Sequence, residues 1–111
     1  IDMTVREIAE KLKLTPVSVS DDTREVRGGY AGDLLSWVMG RVPEDAVWIT
    51  IMSNVNVVAV AVLRDVAMVV VAEGSDIPAE VVARAAEQEV NLYAATADVY
   101  ALCAALSRLL E

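Results

Sequence analysis

The sequence predicts an α/β fold, layered α/β/α around a mainly parallel four-stranded sheet, in the order α-β-α-β-α-β-α-β-α. Three observations carry that expectation. Stretches with helical spacing of apolar residues alternate along the chain with short β-rich stretches. Residues 66–71 are apolar at every position, as in a strand buried on both faces of a parallel sheet. Neighbouring stretches lack tight-hairpin signals: Arg64-Asp65, between two valine-rich runs, offers neither glycine nor asparagine for such a turn.

The first helix has a full start signal. Thr4 and Glu7 form a T-x-x-E capping box, and Met3 and Ile8 flank it as a hydrophobic staple. Val5, Ile8, Ala9 and Leu12 follow helical spacing until Thr15-Pro16 stops the run. Alternation at 17–20 predicts the first strand. A polar loop then runs from Asp21 through Val26-Arg27 to Gly28-Gly29. A second helix is expected over 30–39, with Leu34, Leu35 and Val38 apolar and Gly40 as its stop. Residues 47–51 read as the second strand. The valines of 53–63 favour a strand by propensity, but Ser53 or Asn54 as N-cap favours a helix, which is the expectation adopted. Residues 66–71 form the third strand. Pro78 opens a fourth helix that runs to about residue 89. A short strand at 91–94 follows. Thr96 is the expected cap of a last helix, where Val99, Leu102, Cys103, Leu106, Leu109 and Leu110 share a face.

A chain of 111 residues suits one domain, expected over 3–111, with Met3 as the native start behind Ile1 and Asp2. Hydrophobic residues make up 56%, more than so small an interior holds. An exposed apolar patch, and with it a homodimer, is the expected outcome. The net charge of −8 repels phosphate backbones and anionic lipid, so neither nucleic acid nor membrane is an expected partner. The apolar stretch 55–72 is divided by Arg64 and Asp65 into pieces too short to span a bilayer. With no signal-like start, the expected location is cytoplasmic.

The chain has no histidine and one cysteine. A Ser-His-Asp triad, a Cys-His dyad and a zinc or iron–sulfur site within one chain are thereby excluded. Neither a P-loop nor a G-x-G-x-x-G follows a strand. No cofactor and no metal are expected, and no catalytic residue is assigned. Cys103 lies on an apolar helical stripe and reads as a core residue. Trp48, in mid-strand, reads as core too, whereas Trp37 lies off its helix's apolar stripe and is the interface candidate.

In an open parallel sheet, ligands bind outside the carboxyl ends of the strands. That rule selects Asp22, Thr23, Arg24, Arg27, Gly28 and Gly29 after the first strand. It adds Ser53, Asn54 and Asn56 after the second, Glu73, Gly74 and Ser75 after the third, and Thr96 after the fourth. All are expected along one edge. Gly28-Gly29 can bring backbone amides to an anionic ligand at a helix start, with Arg24 and Arg27 beside it. Equally, the glycines can serve the turn alone, with the arginines paired to Asp21, Asp22 or Glu25.

The run Val26-Arg27-Gly28-Gly29-Tyr30-Ala31-Gly32-Asp33-Leu34-Leu35-Ser36 resembles small bacterial proteins with a DRTGG-type domain, and Asn56-Val57-Val58-Ala59-Val60-Ala61-Val62-Leu63 fits the same group. The resemblance implies a fold similar to the N-terminal domain of HPr kinase/phosphorylase. It also implies a regulatory or dimerising role, as in DRTGG domains that sit beside CBS domains in some inorganic pyrophosphatases. Ser53-Asn54 stands where the family has Asp-Arg, and Ala72-Glu73-Gly74 where it has Thr-Gly-Gly. Three readings follow. The leading one is a homodimeric, non-catalytic regulatory module with a small anionic ligand at the loops. The second is a protein–protein adaptor without a small-molecule site. The least favoured is a carboxylate and Mg²⁺ enzyme using Asp22 and Glu73.

Overall fold

The computed structural model describes residues 3–111. The expectation about Ile1 and Asp2 lies outside the described residues. A five-stranded mixed sheet divides the molecule into two apolar layers. The chain begins with β1 (Met3–Thr4) and α1 (Val5–Lys11), then β2 (Thr15–Ser18), β3 (Glu25–Val26) and β4 (Gly28–Ala31). Next come α2 (Leu35–Met39), β5 (Ala46–Thr50), α3 (Val55–Arg64) and β6 (Met68–Val71). It closes with α4 (Ala79–Glu87), β7 (Leu92–Ala94) and α5 (Val99–Leu109).

The sheet order is β2-β7-β6-β5-β4. Strands β4 to β7 are parallel, and β2 pairs antiparallel with β7. The expected sheet of four mainly parallel strands is therefore corrected to five mixed strands. Two local misreadings explain the difference. The stretch expected to begin a helix at Tyr30 is instead strand β4, because Gly28–Ala31 lies in parallel register beside Ala46–Ile49. Pairing with the fully buried β5 outweighs the poor strand propensity of two glycines. The helix that follows shrinks to Leu35–Met39. The first expected strand starts earlier than alternation suggested, and Pro16 is tolerated because β2 is an edge strand.

Other elements form where expected. The Thr4–Glu7 capping box is present in both directions. Asn54 caps α3, its side chain accepting the Asn56 N–H at 2.9 Å. That cap settles the valine-rich stretch as helix. The last helix is capped by Asp98 rather than Thr96: Asp98 Oδ1 accepts the Ala101 N–H at 2.7 Å.

The two layers divide the helices. One face of the sheet packs Trp48, Val69, Val71 and Leu92 against Val38, Val57, Val58, Ala61, Val81 and Ala85 of α2, α3 and α4. The other packs Val47, Ile49, Met68, Val70 and Tyr93 against Val5 and Ile8 of α1 and Leu102 and Leu106 of α5. This is the expected α/β/α layering. Strands β5 and β6 are buried on both faces, which is why their sequences are nearly continuous apolar runs. Among the described residues, no helix is long and apolar enough to cross a membrane.

Candidate functional site

Strand direction decides which loops share an edge. The parallel strands β4, β5, β6 and β7 deliver residues 32–34, 51–54, 72–76 and 95–98 to one edge, the carboxyl edge. Strand β2 runs the other way, so the loop after it, residues 19–24, emerges at the amino edge. The expectation that all four loops line one edge is thus corrected. The candidates Ser53, Asn54, Asn56, Glu73, Gly74 and Thr96 come together at the carboxyl edge. Asp22, Thr23, Arg24 and Arg27 do not join them. Gly28 and Gly29 lie inside β4 rather than in a loop.

The amino-edge residues are occupied in the fold. Arg24 donates to Asp45 Oδ1 at 2.8 Å and to the Asp65 carbonyl at 2.7 Å, and lies 3.1 Å from Asp65 Oδ1. Asp45 and Asp65 precede β5 and β6 in left-handed conformations, with φ of 63° and 52°. Arg24 therefore braces two helix-to-strand turns. Burial alone would lower the pKa of its guanidinium, but the two aspartates outweigh that and the net direction is upward. Asp22 pairs with Arg6 at 2.9 Å, and Arg27 sits 3.7 Å from Glu25. Asp21 accepts from Thr23 Oγ1 at 2.6 Å, and that hydrogen bond holds its carboxyl below the usual range. Asn91, buried and unremarked in the sequence, ties this loop to the sheet. Its amide accepts the Ser20 and Asp21 N–H groups and donates to the Asp21 and Ala67 carbonyls.

At the carboxyl edge the loops are laced to one another. Asp33 Oδ1 accepts from the buried Thr50 hydroxyl at 2.8 Å and from the Ile51 N–H at 2.9 Å. Ser53 Oγ donates to the Asp76 carbonyl at 2.7 Å. The Glu73 and Gly74 amides donate to the Ala97 and Ala95 carbonyls, and Glu73 Oε2 accepts the Val99 N–H. Glu73 and Gly74 both take positive φ to make these contacts. Helices α3, α4 and α5 all start here, but so do the carboxylates Asp33, Glu73, Asp76 and Asp98. The arginines expected to balance an anion stand at the opposite edge. Asp22 and Glu73, paired in the least favoured reading, also lie on opposite edges and cannot share one metal ion. Among the described residues, no cluster of three or more His, Cys, Asp or Glu side chains has metal-binding geometry.

A second feature escaped the sequence. An open groove of about 420 Å³ runs between β4 and α5, lined by Gly28 to Ala31, Ile49, Cys103, Leu106, Ser107 and Leu110. Its cause is Gly29. A Cβ there would lie 2.6 Å from Leu106 Cδ2, so glycine lets α5 approach the strand. Gly29 thus serves close helix packing, whereas a Cβ at Gly28 would meet nothing within 4 Å. Cys103 borders this groove, and burial raises its thiol pKa.

No protein-family model matches the sequence. No curated protein matches it either. The structure is similar to the CBS and DRTGG domains of the regulatory region of Clostridium perfringens pyrophosphatase, solved in complex with its activator, diadenosine tetraphosphate. The TM-score is 0.71 at 14% identity, over 96% of this chain and 45% of that one. This chain therefore spans less than half the length of that neighbour. At such identity the likeness shows the fold.

Proposed function

We propose that residues 3–111 form one regulatory module of the DRTGG type, non-catalytic, that self-associates and takes a small ligand at the carboxyl edge. The observation that carries this reading is the exposure of large apolar side chains. Tyr100 is 85% exposed, Leu63 69%, Leu34 66% and Trp37 53%. Trp37 carries the Arg41 guanidinium over its ring at 3.2 Å. Apolar surface of this kind marks contact faces. The shared fold with the regulatory part of a pyrophosphatase, not its catalytic part, gives the direction of the inference by analogy. In this reading Ser53, Asn54, Asn56, Glu73, Gly74 and Thr96 face the ligand, and the Asn56 side-chain amide supplies a donor. The expected cytoplasmic location belongs to the same reading.

The test is a thermal-shift screen with diadenosine tetraphosphate, ATP, AMP and phosphorylated metabolites. At least one should raise Tm, and Ser53→Asp should abolish the rise by adding negative charge to an acidic edge. A flat screen removes the ligand from the proposal. The adaptor reading then stands in its place, and it has one observation in its favour: the carboxyl edge is rich in carboxylates, which repel an anionic ligand.

A further inference from the structure

We propose that the groove between α1 and the β2–β7 seam binds a small zwitterion with an apolar side chain, of the class of a free α-amino acid. This site is separate from the carboxyl edge and stands whether or not a ligand binds there. The groove measures about 470 Å³, within the range of small-molecule sites. Its floor is apolar: Ala9 from α1, Leu14 from the turn after it, Pro16 from β2 and Val19 just beyond β2. Tyr93 supplies the observation that points to a ligand. Only 3% of this residue is exposed, and β7 sets it beside Pro16. Among the described residues, no group bonds to its hydroxyl. That oxygen is not sealed off either, since every enclosed side-chain N or O atom among the described residues has a partner. It therefore opens into the groove that Tyr93 lines. Burial, and after it the charge of Asp22, raises the phenol pKa, so the group is a donor at neutral pH. A buried tyrosine hydroxyl ordinarily has a partner, and the groove is where this one can find it.

The charges around the floor select the ligand's class. Arg6, Lys13, Glu10 and Asp22 line the groove, two of each sign. Arg6 donates through Nε and Nη2 to the two Asp22 oxygens at 3.1 and 2.9 Å, so that pair is closed on itself. Glu10 lies in the last turn of α1, and Lys13 just past its C-cap, Leu12. Both are exposed, and among the described residues neither forms an ion pair. A purely anionic ligand meets Glu10 and Asp22, and a purely cationic one meets Arg6 and Lys13. A molecule that carries one charge of each sign has both matched. Its carboxylate takes Lys13 and the Tyr93 hydroxyl, its ammonium takes Glu10, and its side chain covers the apolar floor.

NMR titration with L-leucine, L-methionine and L-phenylalanine tests this. At least one should bind saturably. Its amide, which lacks the carboxylate, and its N-acetyl form, which lacks the ammonium, should each bind at least ~10-fold more weakly. Tyr93→Phe keeps the ring and removes only the hydroxyl. It should leave Tm unchanged, because no partner within the chain is lost, and should raise Kd about 10-fold. Lys13→Gln and Glu10→Gln, both at exposed positions, should raise Kd by a similar factor, and they decide alone if Tyr93→Phe does not fold. Binding that all of these variants leave unchanged lies elsewhere and overturns the site. Equal affinity for the amino acid and its amide overturns the zwitterion assignment. No saturable binding of any of the three at about 50 mM overturns the proposal outright.

Discussion

Arg24 shows how a single side chain changes meaning between sequence and structure. As one of nine basic residues in a chain of net charge −8, it suggested an anion site. In the fold it spans Asp45 and Asp65, residues 21 and 41 positions away. No local pattern could reveal that, because the pairing depends on β5 and β6 lying side by side. Arg24→Ala should therefore cost stability, not binding. The loss is expected at about 1–3 kcal/mol, since charged hydrogen bonds at a partly exposed site are removed and two turns lose their brace. Urea denaturation checks it, and an unchanged midpoint would refute the bracing role. Trp48 was legible for the opposite reason. An aromatic in mid-strand needs burial and a partner for its N–H, and Trp48 has both, donating to the Gly32 carbonyl at 2.9 Å.

Helices were more legible than strands at the scale of elements. The capping box at Thr4–Glu7 and the cap at Asn54 are local chemistry, readable within four residues. They placed α1 and α3 correctly even against the strand propensity of the valines. Strand β4 was illegible because its stability comes from a neighbour nearly twenty residues on, not from its own residues. The reading of Thr96 as a cap failed by two positions, since a Thr and an Asp stood close together and both cap well. This makes a clean comparison. Asp98→Ala should destabilise by about 1 kcal/mol through the lost bond to the Ala101 N–H, while Thr96→Ala should be near neutral. Equal effects in thermal melts would show that Asp98 is not the working cap.

The candidate site was half legible for a reason that belongs to the whole molecule. The loop-edge rule presumes parallel strands, and one antiparallel strand sends its loop to the far side. Element order alone does not give strand direction at an edge. What holds that strand is Asn91, whose side chain joins residues 20 and 21 to β6 and β7 across seventy positions of sequence. Asn91→Leu leaves those amides without their partner in a buried setting and should cost about 2–4 kcal/mol. Equilibrium unfolding followed by both tryptophan fluorescence and circular dichroism tests this. A shift below 1 kcal/mol would mean that β2 is held by its ladder alone.

The antiparallel seam between β2 and β7 also sets an order of events in time. Strands β4 to β7 can assemble by successive crossovers, each closing a modest loop. Strand β2 has no partner until β7 exists, because Thr15 pairs with Ala94. During synthesis residues Thr15–Ser18 therefore wait for this partner until Leu92–Ala94 have emerged from the ribosome. Closing so long a loop is the slow, entropically costly step. The seam is thus the last to close, and its strands are made far apart in time.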